Sequence, residues 1–307
     1  MTLEEMLKQS EDFEYDASRY NFDLSYPEFN FSRGQKNYAN ITKRLKALNL
    51  PDPSTFQYTS LTLEELKQYL TTILNKIFDS SYSKQIAEYN SLLKLSSTPN
   101  PFDATLETSV GKIYELPTIE HIHISDQLSS IEVVATSHEY IHALLSAYST
   151  YNFNRIMSNY HYKELLSILI EYISVYELSK LLKEDQLPEK HNIIRLHTNQ
   201  EHVIAEEENK AMLPIIERQA SPVIIQAYKK CLNHSAHNSF GYITSDIYAT
   251  RLFELFQDDP KTLLNIFKSI INGQKSINEL LNYYGISLRD KETANTYYKR
   301  LDNIPKL

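Results

Sequence analysis

The sequence predicts a mainly α protein with one small β element, and three observations carry that prediction. Apolar residues recur with a 3.6-residue period along most of the 307 residues, and strict two-residue alternation is confined to short stretches. Five glycines leave too little turn chemistry for a protein built from tight hairpins.

Up to about residue 53 the chain is rich in Tyr, Phe and Asn and is interrupted by Pro27, Gly34, Pro51 and Pro53, a pattern of short helices and loops. Thr62 followed by Glu65 forms a capping box that opens a helix over 63–78, with Leu66, Tyr69, Leu70, Ile73 and Ile77 on one face. A second helix is expected over 83–95, and the polar, Pro-containing run 96–103 marks an internal boundary. The strand is 118–124: Ile122 and Ile124 point to one side, His121 and His123 to the other. Ser129 and Glu132 form another capping box at the head of a helix over 130–147. Beyond it the period predicts helices at 163–182, 199–217, 222–233, 241–256, 261–272, 276–283 and 291–301. The organisation expected is a helical N-terminal region over 1–115 and a helical catalytic region over 116–307.

The formal net charge is −8 and no Lys/Arg block interrupts it, which argues against an electrostatic grip on nucleic acid or on anionic lipid. The scarcity of glycine argues against the phosphate-binding loops of P-loop and Rossmann enzymes. The lone cysteine, Cys231, can neither close an internal disulfide nor supply a thiolate cluster, so it is expected to pack, and any metal must be held by His and carboxylate. A reducing compartment follows. The first six residues carry two acids and lead into no apolar run, and the most apolar stretch, 165–182, is broken by Glu171, Glu177 and Lys180. No secretory signal and no membrane span are expected, and the protein is placed in the cytoplasm.

The chemistry concentrates in His138-Glu139-Tyr140-Ile141-His142. Two histidines four residues apart project from one helix face and can meet one ion, while Glu139 stands beside them to take a proton from a bound water. Composition alone gives roughly 0.04 such matches by chance in a chain of this length. On the next helix Glu164 and Glu171 are seven residues apart, two turns, on a segment that is otherwise buried-helix material (Leu165, Leu166, Ile168, Leu169, Ile170). A carboxylate there is costly unless paired or bound to metal. Two His, one Glu and an open fourth position is the catalytic zinc arrangement.

In these segments the chain resembles the thimet oligopeptidase and oligoendopeptidase F family of zinc metallopeptidases. Glu164 follows His142 by 22 residues, and Glu164 to Glu171 reproduces the family's E-x6-E spacing. Gly241-Tyr242-Ile243-Thr244-Ser245-Asp246-Ile247-Tyr248-Ala249, then Leu252-Phe253, is similar to the family's G-Y-L-x-S-[E/D]-[V/I]-[Y/F]-A segment. Gly273-Gln274-Lys275-Ser276, Glu279-Leu280-Leu281 and Gly285-Ile286 are similar to its closing turn and E-L-L helix. The chain departs from the family at Ile141, where Gly is usual, at Leu145, where a further His is frequent, and at Ser239 and Phe240, where a Tyr is expected. It is also much shorter than usual members, with a reduced N-terminal helical wall.

The resemblance implies a multi-helical zinc-peptidase core with an edge strand beside the metal helix, one Zn²⁺ per chain on His138, His142 and Glu164, and Glu139 as general base. Glu171 would orient a ligand histidine. It also implies a His and a Tyr hydroxyl that donate to the oxyanion: Tyr242 for the Tyr, and for the His either His237 or His234, since the ungapped position holds Lys230. His121 and His123, on a strand expected to pair with extended peptide, become candidate substrate contacts together with His234; His161, His191, His197 and His202 are expected to be solvated. The activity expected is hydrolysis of peptide bonds in short peptides. Two rivals remain: a catalytically weakened or inactive peptide-binding module on a peptidase scaffold, and a metal-dependent hydrolase of another amide or ester.

Overall fold

A computed structural model describes residues 32–78, 80–97, 104–109, 118–148, 164–271 and 277–304. Most of the expected boundary run 96–103 lies outside the described residues, as do His161 and the side chains of Cys231, His234 and His237.

The chain begins with α1 (Ser32–Lys46), a 3₁₀ turn (Pro53–Thr55), α2 (Leu63–Ile77) and α3 (Ser83–Ser91). The Thr62 box closes as expected: the Glu65 N–H donates to Thr62 Oγ1 at 3.3 Å and the Thr62 N–H to Glu65 Oε2 at 2.8 Å. The helix expected over 83–95 stops four residues early, because Leu93–Ser96 turns into a strand, β1. With β2 (Thr105–Ser109) and β3 (Thr118–Ser125) it forms a three-stranded sheet of order β1-β3-β2. β3 is therefore central, not an edge: it pairs parallel with β1 (Leu93 opposite Ile122) and antiparallel with β2 (Glu107 opposite His121). β1 takes one side of its backbone over 122–125 and β2 the other over 118–123, so no added strand fits where both pair. Ile122 and Ile124 are buried and His121 and His123 lie on the other face, as the alternation requires.

Helix α4 (Ser130–Tyr148) follows, and its expected capping box does not form. The Glu132 N–H bonds the Ser129 carbonyl at 3.0 Å, and Ser129 Oγ has no hydrogen-bond partner among the described residues. The head of α4 is instead strapped by residues 59–61: the Ser130 N–H donates to the Thr59 carbonyl (2.8 Å) and the Leu61 N–H to the Leu128 carbonyl (3.0 Å). Main chain has taken the place of a side-chain cap.

Helix α5 (Leu165–Leu182) is apolar on nearly every side, which marks an internal helix; it packs against α4, α6 (Leu187–Gln219) and α7 (Pro222–Phe256). α6 starts well before the expected 199 because Leu187, Ile193, Ile194 and Leu196 bury against the core. α7 is one helix where two were expected: Ser239, Phe240 and Gly241 are buried, and packing along α6 and α5 overrides weak local propensity. Helices α8 (Pro260–Ile271), α9 (Ile277–Tyr283) and α10 (Lys291–Asp302) close the fold. One continuous apolar cluster runs from Ile41 and Leu45 in α1 to Tyr297 and Leu301 in α10, so the described part of the expected N-terminal region shares its core with the rest.

Four elements also meet at a buried anion. Asp246 on α7 accepts hydrogen bonds from the Tyr172 hydroxyl of α5, Asn199 Nδ2 of α6 (2.5 Å), and the Tyr297 hydroxyl (2.8 Å) and Arg300 Nη1 (2.9 Å) of α10. Burial pushes this carboxyl up, but the Arg300 and Arg195 guanidiniums overcome it and hold it below the ordinary value of 3.8. Asp246→Asn, which leaves Arg300 buried without its counter-charge, is expected to lower the unfolding free energy at pH 7 by about 3–5 kcal/mol. A pKa lowered on folding stabilises above the unfolded value and is lost as pH falls through the folded one. Urea unfolding should therefore show the gap between wild type and variant narrowing only once the pH drops below about 3.8.

Candidate metal centre

The i, i+4 spacing on α4 brings His138 and His142 together as expected, with Nε2 atoms 3.0 Å apart. Glu164, at the N-cap of α5 and 3% exposed, places Oε2 3.2 Å from each of those nitrogens. Helices α4 and α5 can approach this closely because small residues meet between them: the Ser174 hydroxyl donates to the Ser137 Oγ at 2.9 Å. Two imidazole nitrogens and a carboxylate oxygen are of the donor types that open zinc sites use. Tetrahedral bonds of ~2.0–2.1 Å set neighbouring donors about 3.3–3.4 Å apart, close to the 3.0, 3.2 and 3.2 Å edges of this triangle. The ligating atoms of His138, Glu139 and His142 also lie within 4.8 Å of one another.

The electrostatics suit a cation at this point. Burial pushes the Glu164 carboxyl up, yet His142 and His138 hold it well below the carboxylate range. Burial disfavours charge on His138, but the Glu164 and Glu171 carboxylates outweigh it and raise the imidazole to about 10.

The second carboxylate of the E-x6-E pair is wholly buried, and both oxygens are occupied. Glu171 Oε1 lies 2.5 Å from His138 Nδ1, and Oε2 lies 2.8 Å from His191 Nε2; Arg195 Nη1 is 3.7 Å from Oε1. Accepting the His138 Nδ1–H turns the Nε2 lone pair toward the donor triangle. His191, expected to be solvated, is 1% exposed, because its imidazole is what satisfies the second oxygen. Burial pushes its pKa down. A signal was present: His191, Arg195 and Asn199 repeat at four-residue intervals on α6 between buried Ile194 and Leu196, a polar stripe on an apolar face.

His138 and Glu139 open into a cleft of about 1050 Å³ between the residue 52–61 segment, the end of β3, α4, α6 and α7. Burial pushes the Glu139 carboxyl up, against the pull of the two imidazoles. Tyr242 lines the same cleft, its ring stacked on His202 with centroids 4.6 Å apart and planes at 19°. His202 was also expected to be solvated; desolvation and Arg195 lower it to about 4, so it is neutral at pH 7. His197 does sit at the rim, 3.4 Å from Glu201.

The remaining candidates fall elsewhere. His121 and His123 are not among the cleft-lining residues; His123 Nε2 contacts Glu107 Oε2 at 2.7 Å on the outer face of the sheet. His234 and His237, expected in a loop that could bend toward the metal, lie within the uninterrupted helix α7. A helical backbone sets position 237 about 140° and position 234 about 80° around the axis from Tyr242. Ile141, the departure from the family's Gly, is wholly buried in the core.

The fold is similar to those of two solved structures named as peptidases. A Bacillus anthracis strain Ames protein named as an oligoendopeptidase F superposes with a TM-score of 0.58 at 17% identity, covering 94% of this chain and 54% of that one. A Chlamydophila abortus protein named as a peptidase gives 0.50 at 14% identity, covering 88% of this chain and 52% of that one. The chain spans about half the length of each. Neither a protein-family model nor the sequence of a curated protein matches it.

Zinc titration against a chelator checks the ligand geometry. Glu164→Ala is expected to lose stoichiometric zinc, because one of three protein donors is gone. Glu171→Gln should keep the metal but weaken its binding by about 10- to 100-fold. The opposite order would assign the ligand to Glu171.

Proposed function

We propose that the protein is a zinc-dependent peptidase acting on short peptides. The observation that carries the reading is the triangle of His138 Nε2, His142 Nε2 and Glu164 Oε2, with His138 and the neighbouring Glu139 lining the cleft. The peptidase folds to which the chain is similar support it.

A zinc ion held by the three donors would polarise the scissile carbonyl and acidify the attacking water. Glu139 takes the proton from that water and returns it to the leaving amine; its burial-raised pKa brings it nearer the operating pH, where a general base is most effective. Glu171 holds His138 in the tautomer that leaves Nε2 free to ligate. The Tyr242 hydroxyl donates to the oxygen of the attacked carbonyl as it gains charge, and the neutral His202 ring stacked on it fixes its direction. Ile141 is a buried member of the apolar core, which weakens one reason for reading the scaffold as decayed. Among the described residues no helix is long and apolar enough to cross a membrane.

Elemental analysis beside cleavage of a quenched-fluorescent peptide library tests the proposal; carefully purified protein that neither holds nor rebinds zinc would remove it. Glu139→Gln should keep its zinc and lose about 10²-fold or more in kcat. Tyr242→Phe should keep zinc and a near-normal KM while kcat drops by about 10²–10³-fold. An unchanged kcat in the tyrosine variant would favour the weakened peptide-binding scaffold instead.

A further inference from the structure

Arg195 has no part in the mechanism above, although it lines the cleft and is 3% exposed. Its five N–H donors need acceptors, and an unmet buried donor is expensive. Nη1 faces Glu171 at 3.7 Å. Nε and Nη2 have no hydrogen-bond partner among the described residues. These two atoms form one edge of the guanidinium, the edge that presents parallel N–H groups to a carboxylate. Both atoms are themselves buried beside the cleft that Arg195 lines, and two unpaired donors there are what a ligand carboxylate would answer.

The rest of the lining sharpens the point. Asp52, Asp126, Glu139, Glu171 and Glu201 make the cleft acidic, and among its described lining residues Arg195 is the lone Arg or Lys. An anion is repelled from most of the wall and accepted at one place. That place is fixed by two turns of α6: His191, four residues earlier, grips the other oxygen of Glu171, and Asn199, four residues later, is tied to Asp246. The Glu171 Oε1 atom contacts both Arg195 Nη1 and His138 Nδ1 and so links the two side chains.

We propose that Arg195 anchors a carboxylate of the substrate, through its Nε and Nη2 edge, within one or two residues of the scissile bond. An extended chain advances ~3.3–3.6 Å per residue, which sets that reach. The inference rests on the peptidase reading and narrows its substrate class to peptides that present a carboxylate near the cleavage point. The carboxylate is either the free C-terminus, giving cleavage near chain ends, or an Asp or Glu side chain.

The test uses three N-acetylated pentapeptide libraries: free C-terminal acids, C-terminal amides, and amides with Asp or Glu fixed at each position in turn. With zinc-loaded wild type, kcat/KM is expected to be about 10- to 100-fold higher for the acids or for one Asp/Glu-fixed set than for the plain amides. The first result identifies a chain-end enzyme and the second an acidic-residue preference. Arg195→Gln should collapse that ratio to near one through KM, and Arg195→Lys, which keeps the charge but not the fork, should restore part of it. If Arg195 only supports Glu171, the Gln variant loses kcat on all libraries alike and the ratio stands, which overturns the proposal. Equal treatment of all libraries by wild type overturns it without any variant. Binding of the acid and amide libraries to zinc-loaded Glu139→Gln, measured by competition, separates this idea from the peptidase reading. Carboxylate-selective binding without cleavage by wild type would retain the anchor and sink the peptidase, whereas unselective binding would sink the anchor.

Discussion

A carboxylate with no exposed surface persists as an anion only when both its oxygens are answered, and the core of this protein is arranged so that those of Glu171 are. Burial alone would protonate it; His138, His191 and Arg195 reverse that balance and hold it ionised. Each partner sets a further requirement. His138 must sit on α4 one turn before His142, His191 and Arg195 must share a face of α6, and α5 must pass between those helices with apolar residues on its other sides. The lone pair that His138 offers a metal is a consequence of this arrangement, so the donor triangle and the packing of three helices are one construction.

A second buried anion, Asp246, stands on the far side of the same polar stripe. Arg195 feels both carboxylates, and Arg300 is the direct partner of Asp246. Tyr242, four residues before Asp246 on the same helix, is thereby carried on a segment of α7 whose position is fixed by charge as well as by apolar contact. The two anions hold the elements that line the cleft at a defined distance from the metal position, a job that apolar packing does less specifically.

The sequence was most informative where chemistry has a fixed spacing. The i, i+4 histidines and the E-x6-E pair converge because a helix face is a local property, and the Thr62 box closed because all its atoms come from one turn. It was least informative where a partner distant in the chain decides. The 59–61 strap displaced the Ser129 cap, β1 and β2 enclosed a strand that looked like an edge, and contact with α5 and α6 made one helix of 222–256. His191 and His202 misled for the same reason: imidazole beside charged residues in the sequence reads as solvated, and only the neighbours on α5 and α7 bury it. The four-residue rhythm of His191, Arg195 and Asn199 was the legible trace of that burial.

The placement of Tyr297 and Arg300 on α10 makes the surroundings of Asp246 non-local: these partners lie 51 and 54 residues from it along the chain. Closing such contacts costs loop entropy that a pair on one helix would not, so this centre is expected to form late in folding, after the helices that carry it.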